Sequence, residues 1–375
     1  MKKTSPKIHR KMQEIYANNN AILQINLKNL EKNYKKLKFI APNSQIAACV
    51  KANSYGLGTE QVIKILYKLK CKNFFVATAE EAILLRQKYK NINIYLLNGV
   101  TNLNTYLKIK NFNVITVINN IYQLNILKKA YKLTKSKIKC CIHIDTGMNR
   151  LGLSFEELLI NLNKIIEYLE IKLVMSHMVN SEKNSKLNNR QLKLFQKIKN
   201  SFKSSKNINF SLSNSNAAFL SKSFHFDIIR AGGYLYGLDL NIKNKSNTVL
   251  TLKAKIIQIQ NVKKGNSVGY GATFITKKES KIATIAIGYA DGLPRDYKGY
   301  AFYKNTKVRF VGRLSMDLSC IDISKIKDAK INDWVEIFGT NISIYNFATN
   351  SKTIPYEISS KIGPRVKRVY DIVFN

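Results

Sequence analysis

Long apolar runs are missing from this sequence, and so is an apolar segment near its start. No uninterrupted apolar stretch reaches the roughly 18 residues that suggest a membrane-spanning helix, so we expect no membrane span. Residues 1–20 are basic and polar and lack the apolar core of a signal peptide. We therefore expect a cytoplasmic protein in which residues 1–20 form a flexible leader.

Cysteine is sparse, and none of the five cysteines belongs to a C-x-x-C pair. Such pairs are typical of zinc sites and redox-active dithiols, so the spacing predicts neither. Buried free thiols in a reducing compartment are the simplest interpretation. We expect no metal site.

Acidic residues are few: 23 Asp and Glu stand against 62 Lys and Arg, which gives a formal net charge of +39. Such an excess is a feature of nucleic-acid-binding proteins, and that function is the alternative of a different class. However, the lysines are spread along the whole chain among many asparagines and isoleucines, as codons rich in A and T would produce. We expect no specific nucleic-acid partner, only nonspecific attraction to polyanions at low salt.

What the sequence does contain is an alternation of short apolar runs with helical patterns between about residues 46 and 237. Between the runs, apolar residues recur at spacings of three and four, as in Thr59–Leu69. Thr78 with Glu81, and Ser154 with Glu157, predict capping boxes at two helix starts. Eight strands alternating with helices predict an α/β fold, the (β/α)8 TIM barrel. The predicted strands are Ile46–Val50, Phe74–Thr78, Ile92–Leu97, Val114–Ile118, Lys139–Ile144, Ile171–Ser176, Ile208–Ser213 and Phe226–Arg230.

The two ends of the chain differ from this region. One earlier strand, Ile22–Asn26, and its helix are surplus to the count of eight and can start outside the barrel. After about residue 245, strand-like segments with few helical stretches predict a separate, mostly-β C-terminal domain. The segments are Val249–Val262, Lys281–Gly288, Lys307–Ile323 and Asp333–Phe338. The predicted division is a leader at 1–20, a barrel at 21–245 and a β domain at 246–375.

The candidate catalytic and cofactor-binding residues follow the ends of the predicted barrel strands. In such barrels, catalytic groups collect after the C-terminal ends of the strands. Lys51 directly follows the first strand, where its amine can form a Schiff base with an aldehyde cofactor. Ser215 and the pair Gly232–Gly233 follow the seventh and eighth strands, as small residues do in barrel phosphate sites. A lone lysine after a strand is usually only solvated, and the other strand ends make the cofactor hypothesis stronger.

From Val50 to Gly56 the chain reads Val-Lys-Ala-Asn-Ser-Tyr-Gly. This segment closely resembles the pyridoxal 5'-phosphate (PLP) attachment signature of the alanine racemase family. The resemblance continues in order over about residues 21 to 370, which makes it very specific. The further matching segments are Asp145–Gly152, Ser176–His177, Ser213–Ser215, Arg230–Gly237, Gly269–Thr273, Gly288–Gly292, Gly312–Asp317 and Tyr356–Glu357.

The resemblance implies a PLP-dependent amino-acid racemase, an isomerase that interconverts L- and D-alanine and supplies D-alanine for peptidoglycan. Lys51 would carry PLP and act as one base, and Tyr270 would act as the other. Arg150 and Met316 would contact the substrate carboxylate, although Met316 could simply pack. The substrate entrance would be lined by Tyr289 and by Asp317, for which a local turn is the alternative. The cofactor-binding residues implied besides Lys51 are Tyr55, His177, Asn214, Ser215, Arg230, Gly232, Gly233 and Tyr356.

Two of these implied roles agree with elementary chemistry. A racemase removes a proton from one face of a carbon and returns it to the other, which calls for two acid–base groups on opposite sides. Arg230 would face the pyridine nitrogen of PLP. Because a guanidinium only donates hydrogen bonds, that nitrogen would stay unprotonated, and we hypothesise that this limits stray transamination.

The sequence departs from the family at two positions. His143 stands where many members have a lysine, often carbamylated, that helps to position the substrate arginine. His143 either hydrogen-bonds in the surroundings of Arg150 or only packs. Leu57 stands where a histidine is common, a change that we expect to affect local packing.

In the family, the β domain of one subunit completes the barrel site of its partner. The resemblance therefore implies a homodimer in which Tyr270 and Met316 act in trans. The nearest alternative activity is a serine or broad-specificity racemase of the same fold, because nothing in the sequence settles the pocket size. A decarboxylase of this fold is less favoured, because those enzymes pair the pyridine nitrogen with a carboxylate and Arg230 is expected here. A non-enzymatic PLP carrier, which consists of the barrel alone, is disfavoured by the predicted β domain.

Overall fold

The computed structural model describes residues 14–202, 207–238 and 245–371, which form two eight-stranded sheets and a short two-stranded ribbon. In chain order, the strands and helices are β1 (Ala21–Ile25), α1 (Leu27–Ile40), β2 (Gln45–Cys49), α2 (Thr59–Lys68), β3 (Asn73–Val76), α3 (Ala79–Lys88), β4 (Asn93–Leu96), α4 (Leu103–Lys110), β5 (Ile115–Ile118), α5 (Ile121–Thr134), β6 (Ile138–His143), α6 (Phe155–Tyr168), β7 (Leu169–Met175), α7 (Lys186–Ser201), β8 (Asn209–Ser211), β9 (Ile228–Ala231), β10 (Leu250–Val262), β11 (Ser267–Val268), β12 (Phe274–Ile275), β13 (Ser280–Ile285), β14 (Tyr300–Tyr303), β15 (Thr306–Val311), β16 (Ser319–Asp322), β17 (Trp334–Phe338), α8 (Ile344–Asn350), α9 (Pro355–Lys361) and β18 (Lys367–Tyr370).

The first sheet is a barrel of eight parallel strands, β2 to β9. Its order is β8-β7-β6-β5-β4-β3-β2-β9, and β2 pairs with both β3 and β9. The ends of the sheet meet where the Arg230 amide donates to the Ser213 carbonyl oxygen at 3.0 Å. The predicted barrel is confirmed, and each predicted strand is present with ends that differ by a residue or two.

Apolar side chains fill the barrel interior. Phe75 and Tyr95, on neighbouring strands, stack with their ring centroids 4.5 Å apart and their planes at 11°. Burial of side chains of this size contributes roughly 1.5–3 kcal/mol each, so this layer stabilises the barrel and supports the loops above it. The buried interior residues are Ala47, Phe75, Tyr95, Ile115, Val117, Cys141, Leu173, Met175 and Ile228.

Both predicted capping boxes are present. The Thr78 side chain accepts from the Glu81 amide, and the Glu81 carboxylate accepts from the Thr78 amide. Ser154 and Glu157 make the same reciprocal pair. An N-cap of this kind contributes about 1 kcal/mol. Thr78 follows β3 after one residue, so its cap places the start of α3 beside the barrel mouth.

The second sheet is mostly antiparallel and confirms the predicted C-terminal β domain. Its order is β13-β16-β15-β14-β17-β10-β1-β18, with a further pairing between β13 and β10. The long strand β10 contacts β1, β13 and β17 along its length, with a register shift within each of the last two pairings. Because β13 lies at one end of this strand order, its additional pairing with β10 folds that edge of the sheet back onto the middle of the domain.

The surplus strand at the start of the chain lies outside the barrel, as the sequence allowed. β1 pairs antiparallel with β10 and parallel with β18, so the first strand of the predicted barrel domain belongs to the other sheet. Residues 14–20 contact the β domain: the Tyr16 ring packs edge-on against Trp334, and the Asn20 carbonyl oxygen accepts from the Lys255 amide. Residues 1–13 of the predicted leader lie outside the described residues.

Two classes of feature are absent from the described parts of the chain. No helix there combines the length and the apolar composition needed to cross a bilayer. No group of three or more His, Cys, Asp or Glu side chains is arranged there to hold a metal ion. All five cysteines are free thiols.

Candidate active site

A cavity of about 930 Å³ lies at the C-terminal end of the barrel. Side chains and backbone from several strand ends converge on it, together with two residues of α9, Tyr356 and Ser360. The residues singled out from the sequence that line it are Lys51, Tyr55, Arg150, His177, Asn214, Ser215, Arg230, Gly232, Gly233 and Tyr356. The structure thus brings together every barrel residue of the predicted site.

Lys51 stands at the start of an uncommon backbone turn. Residues 52–55, none of them glycine, have φ values between 52° and 58°. Left-handed backbone costs non-glycine residues roughly 1–2 kcal/mol each, and such strain persists where the surroundings over-determine it. The Ser54 amide donates to the Val50 carbonyl oxygen, and the Thr59 amide donates to Asn53 Oδ1 at 2.9 Å. The turn presents Lys51 and Tyr55 to the same cavity.

A small polar cradle forms the part of the cavity next to β9. A Cβ atom on Gly232 would lie 2.7 Å from the Tyr55 hydroxyl, and one on Gly233 would lie 2.2 Å from the Tyr356 hydroxyl. Only glycine therefore lets the backbone approach the two phenols here. Ser215 Oγ accepts from the Gly232 amide at 2.8 Å, which leaves its hydroxyl hydrogen to donate.

Burial raises the pKa of Tyr55 well above its usual range, so Tyr55 remains a neutral hydrogen-bond donor. Hydroxyl donors set among small residues suit a phosphate.

Arg230 is a buried cation without a carboxylate partner among the described residues. Its Nη1 donates to the backbone and side-chain oxygens of Ser211 at 2.9 and 2.5 Å. Its Nη2 donates to the Ser176 carbonyl oxygen at 2.5 Å and to His177 Nδ1 at 3.2 Å. A guanidinium has five N–H donors, and these bonds occupy the four on Nη1 and Nη2. In the described chain Nε–H makes no hydrogen bond, so it is the donor left for a ligand in the cavity.

His177 is held as a neutral imidazole. Because its Nδ1 accepts from Arg230, Nε2 carries the hydrogen of the neutral ring. Burial, together with the positive charges of Arg230, Arg150 and Lys51, lowers the pKa of His177 to about 3. These three cations outnumber the one carboxylate of the lining, Glu182, so the cavity is cationic, which fits a ligand with a phosphate and a carboxylate.

His143 has the opposite tautomer. Its Nδ1 lies 2.8 Å from Asn119 Oδ1, and Asn119 Nδ2 donates to the Leu97 carbonyl oxygen, so His143 is the donor of the pair. Burial, followed by the charges of Arg230 and Arg150, lowers the pKa of His143 to about 4.

The Asn119 carbonyl oxygen also accepts from the amide of Gly152, two residues after Arg150. Of the two alternatives for His143, the structure supports hydrogen bonding in the surroundings of Arg150. Sequence reasoning missed Asn119, although its place directly after β5 was a signal.

Arg150 lies on the loop between β6 and α6, which is tied down at both ends. The Asp145 carboxylate accepts from the amides of residues 147–149, and the Leu153 amide donates to the His143 carbonyl oxygen at 2.8 Å. The Arg150 side chain is exposed and makes no hydrogen bond or ion pair within the described residues. A fixed backbone therefore carries a guanidinium that can bind a carboxylate at the cavity mouth.

Asn214 lines the cavity, but its side chain has structural partners. Its Nδ2 donates to Ser181 Oγ at 2.7 Å, and its Oδ1 accepts from the amides of Asn216 and Ala217. These bonds hold the turn that presents Ser215. Ser181 also lines the cavity and was missed from the sequence.

Four predicted site residues do not line this cavity: Tyr270, Tyr289, Met316 and Asp317. They belong to the β domain, and the residues Tyr270 and Met316 are 67% and 54% exposed. The loops that carry Tyr289 and Met316 are joined, because the Tyr289 and Ala290 amides donate to the carbonyl oxygens of residues 315 and 316. A single chain thus holds the lysine in its cavity and the tyrosine on an exposed surface.

Comparison with known proteins agrees with both halves of this description. The model of the alanine racemase N-terminal domain matches residues 25–240, and that of the alanine racemase C-terminal domain matches residues 249–370. The chain belongs to the alanine racemase family. An alanine racemase of Rickettsia akari is 38% identical over 356 residues, covering 93% of this chain and 98% of that protein.

Solved structures of the family have the same fold. A crystal structure of alanine racemase from Bartonella henselae with covalently bound pyridoxal phosphate is 33% identical, with a TM-score of 0.88. The aligned region covers 94% of this chain and 99% of the Bartonella chain. The biosynthetic alanine racemase of Pseudomonas aeruginosa is 28% identical, also with a TM-score of 0.88, and covers 94% of this chain and 100% of its own.

Proposed function

We propose that this chain is an alanine racemase that binds PLP through Lys51 and interconverts L- and D-alanine. The observation that carries the proposal is the convergence of Lys51, the buried Arg230 and the polar cradle on one cationic cavity. A cytoplasmic role in supplying D-alanine for peptidoglycan is part of the proposal and rests on the family resemblance.

The cavity residues fit PLP group by group. Lys51 would hold its aldehyde carbon, and Arg230 would donate from Nε to its ring nitrogen. Tyr55, Ser215 and Tyr356, with the backbone of Gly232 and Gly233, would hold its phosphate. His177 and Asn214 complete the cofactor-binding set. When bound, PLP withdraws electrons from the amino acid and acidifies its α-hydrogen.

The protein itself supplies the acid–base chemistry. Lys51 and Tyr270 would each take or return the α-proton, one on each face of the substrate. Arg150 and Met316 would hold the carboxylate so that the α-carbon lies between the two bases. The positive charge of Arg150 would stabilise negative charge that develops on a neighbouring base.

A homodimer would bring the two halves of the site together. Tyr270, Met316, Tyr289 and Asp317 lie outside their own chain's cavity, and the large side chains of the first two are exposed. Exposed apolar and aromatic side chains that cluster on one face favour a protein interface. In the proposed dimer, this face of one subunit covers the cavity of the other, with Tyr289 and Asp317 at the entrance.

Replacing Arg230 by Glu should increase the conversion of PLP to pyridoxamine phosphate per turnover. Arg230 can only donate, whereas a glutamate accepts from a protonated ring nitrogen, which favours the side reaction. Chromatography of the cofactor after a fixed number of turnovers measures the effect. Arg230→Lys, which keeps a cationic donor but also loses bonds of the guanidinium, is the control, and equal loss in the two variants would contradict this role.

The proposed activity is tested directly with purified protein and a panel of amino acids. We expect racemisation of alanine with the highest kcat/KM, and a visible absorbance band that borohydride removes while fixing the cofactor on Lys51. Higher kcat/KM for serine, or similar values for many amino acids, would favour the broad-specificity alternative. No racemisation of any amino acid by PLP-loaded protein would refute the proposal.

A further inference from the structure

The carboxylate of Glu81 joins the ends of two barrel strands. Its Oε1 accepts from the amide of Ala52, next to Lys51, at 2.7 Å. Its Oε2 accepts from the amides of Ala77 and Thr78, just after β3, at 2.8 and 3.3 Å. Sequence patterning predicts only a capping box for Glu81, whereas the structure gives it a second contact with the lysine-bearing turn.

The contact with Glu81 supplies a hydrogen-bond acceptor to an amide that has none inside the turn. The left-handed turn at residues 52–55 leaves its first amides without carbonyl partners inside the turn, as the start of any helical turn does. Bonds within the turn and to Thr59 hold its later residues. The Ala52 amide, directly after Lys51, is held by Glu81, and a hydrogen bond to a carboxylate is stronger than one to a neutral group.

We propose that Glu81 is a positioning residue that holds the left-handed turn in the conformation presenting Lys51 and Tyr55 to the cavity. It touches neither side chain and acts through the backbone of Ala52. This inference rests on the proposed function, since it assigns the turn the task of holding the cofactor-bearing lysine. Loss of the carboxylate should loosen the turn and weaken the retention of PLP.

The chain contains its own control. Glu157 occupies the same position in the second capping box, where its carboxylate accepts from the Ser154 amide at 2.8 Å. Glu81→Ala and Glu157→Ala therefore each remove one capping box and one negative charge. Glu81→Ala also removes the acceptor for the Ala52 and Ala77 amides, and of these two only Ala52 belongs to the lysine-bearing turn. Thr78→Ala provides a further control, because it removes the cap of α3 but keeps the carboxylate.

The test compares these variants as full-length, PLP-loaded protein. Hydrogen exchange of peptides spanning residues 50–58 reports on the turn, and release of PLP into a scavenger reports on the lysine and cradle. We expect exchange and release to be about tenfold faster in Glu81→Ala, as loss of a hydrogen bond to a charged group implies. Glu157→Ala and Thr78→Ala should stay within about twofold of wild type in both measurements.

Equal exchange and release in Glu81→Ala and Glu157→Ala would overturn the inference. If Glu81→Ala does not fold, Glu81→Gln is compared with Glu157→Gln, because glutamine keeps the volume but offers one acceptor oxygen instead of two. Alanine racemisation by the wild-type chain tests the proposed function separately. An active wild type with indistinguishable variants rejects only the role of Glu81, whereas an inactive wild type rejects the proposed function.

Discussion

Equal amounts of a Lys51→Ala chain and a Tyr270→Phe chain, mixed under conditions that exchange subunits, should recover about a quarter of wild-type activity. Each chain alone should be nearly inactive. In a mixed dimer, one site combines the intact Lys51 of one subunit with the intact Tyr270 of the other, and the second site lacks both. Random pairing makes half of the dimers mixed, which gives the expected fraction.

The complementary mixture is the control. A chain that carries both substitutions, added in excess to wild type, should suppress activity, because every mixed dimer then has one missing base at each site. If each site used residues of one chain, the double variant would leave wild-type subunits active in the mixed dimers, and the first mixture would recover nothing. No recovery, with exchange shown by mass spectrometry of tagged subunits, would contradict shared sites.

Tyr270→Phe alone should lower kcat for alanine racemisation by about 10²–10⁴-fold, the range associated with one positioned acid–base group. The substitution keeps the ring and removes only the hydroxyl. Attachment of PLP to Lys51 should be unchanged, because Tyr270 does not line the barrel cavity of its own chain. Racemisation assays measure the loss of kcat, and the visible spectrum measures how much PLP remains attached.

Isotope exchange sharpens this prediction. In deuterated water, Lys51 in the Tyr270→Phe protein should still exchange the α-hydrogen of one alanine enantiomer without inverting it. Tyr300→Phe, which changes another exposed tyrosine of the same domain, is the control for a general effect on the β domain. A kcat within about threefold of wild type would show that Tyr270 is not a base.

Much of the fold could be predicted because its signals are local. Apolar runs of strand length and helical spacing identified all eight barrel strands, and Thr78 and Ser154 marked two helix starts through their own caps. The pattern also predicted a strand at the start of the chain, outside the count of eight, but it could not identify the partners of Ala21–Ile25. Its partners are β10 and β18, more than 200 residues along the chain, and local patterning carries no information about such pairing.

The site divides in the same way. Arg230 was named through the family resemblance, whereas order along the chain, with the rule that chemistry collects after barrel strands, pointed to Lys51, Ser215 and Gly232–Gly233. The order of residues could not show that the Asn214 side chain hydrogen-bonds within a turn, or that the Glu81 carboxylate accepts from the Ala52 amide.

The sequence by itself determined the family, the barrel and the residue types available for chemistry, because each follows from short segments and their order. Only the tertiary structure decided the states of those residues: the single free donor of Arg230, the opposite tautomers of His143 and His177, and the exposure of Tyr270 outside the cavity. The physical reason is that hydrogen-bond roles and desolvation depend on which groups meet in space, and those groups come from strands far apart in the chain.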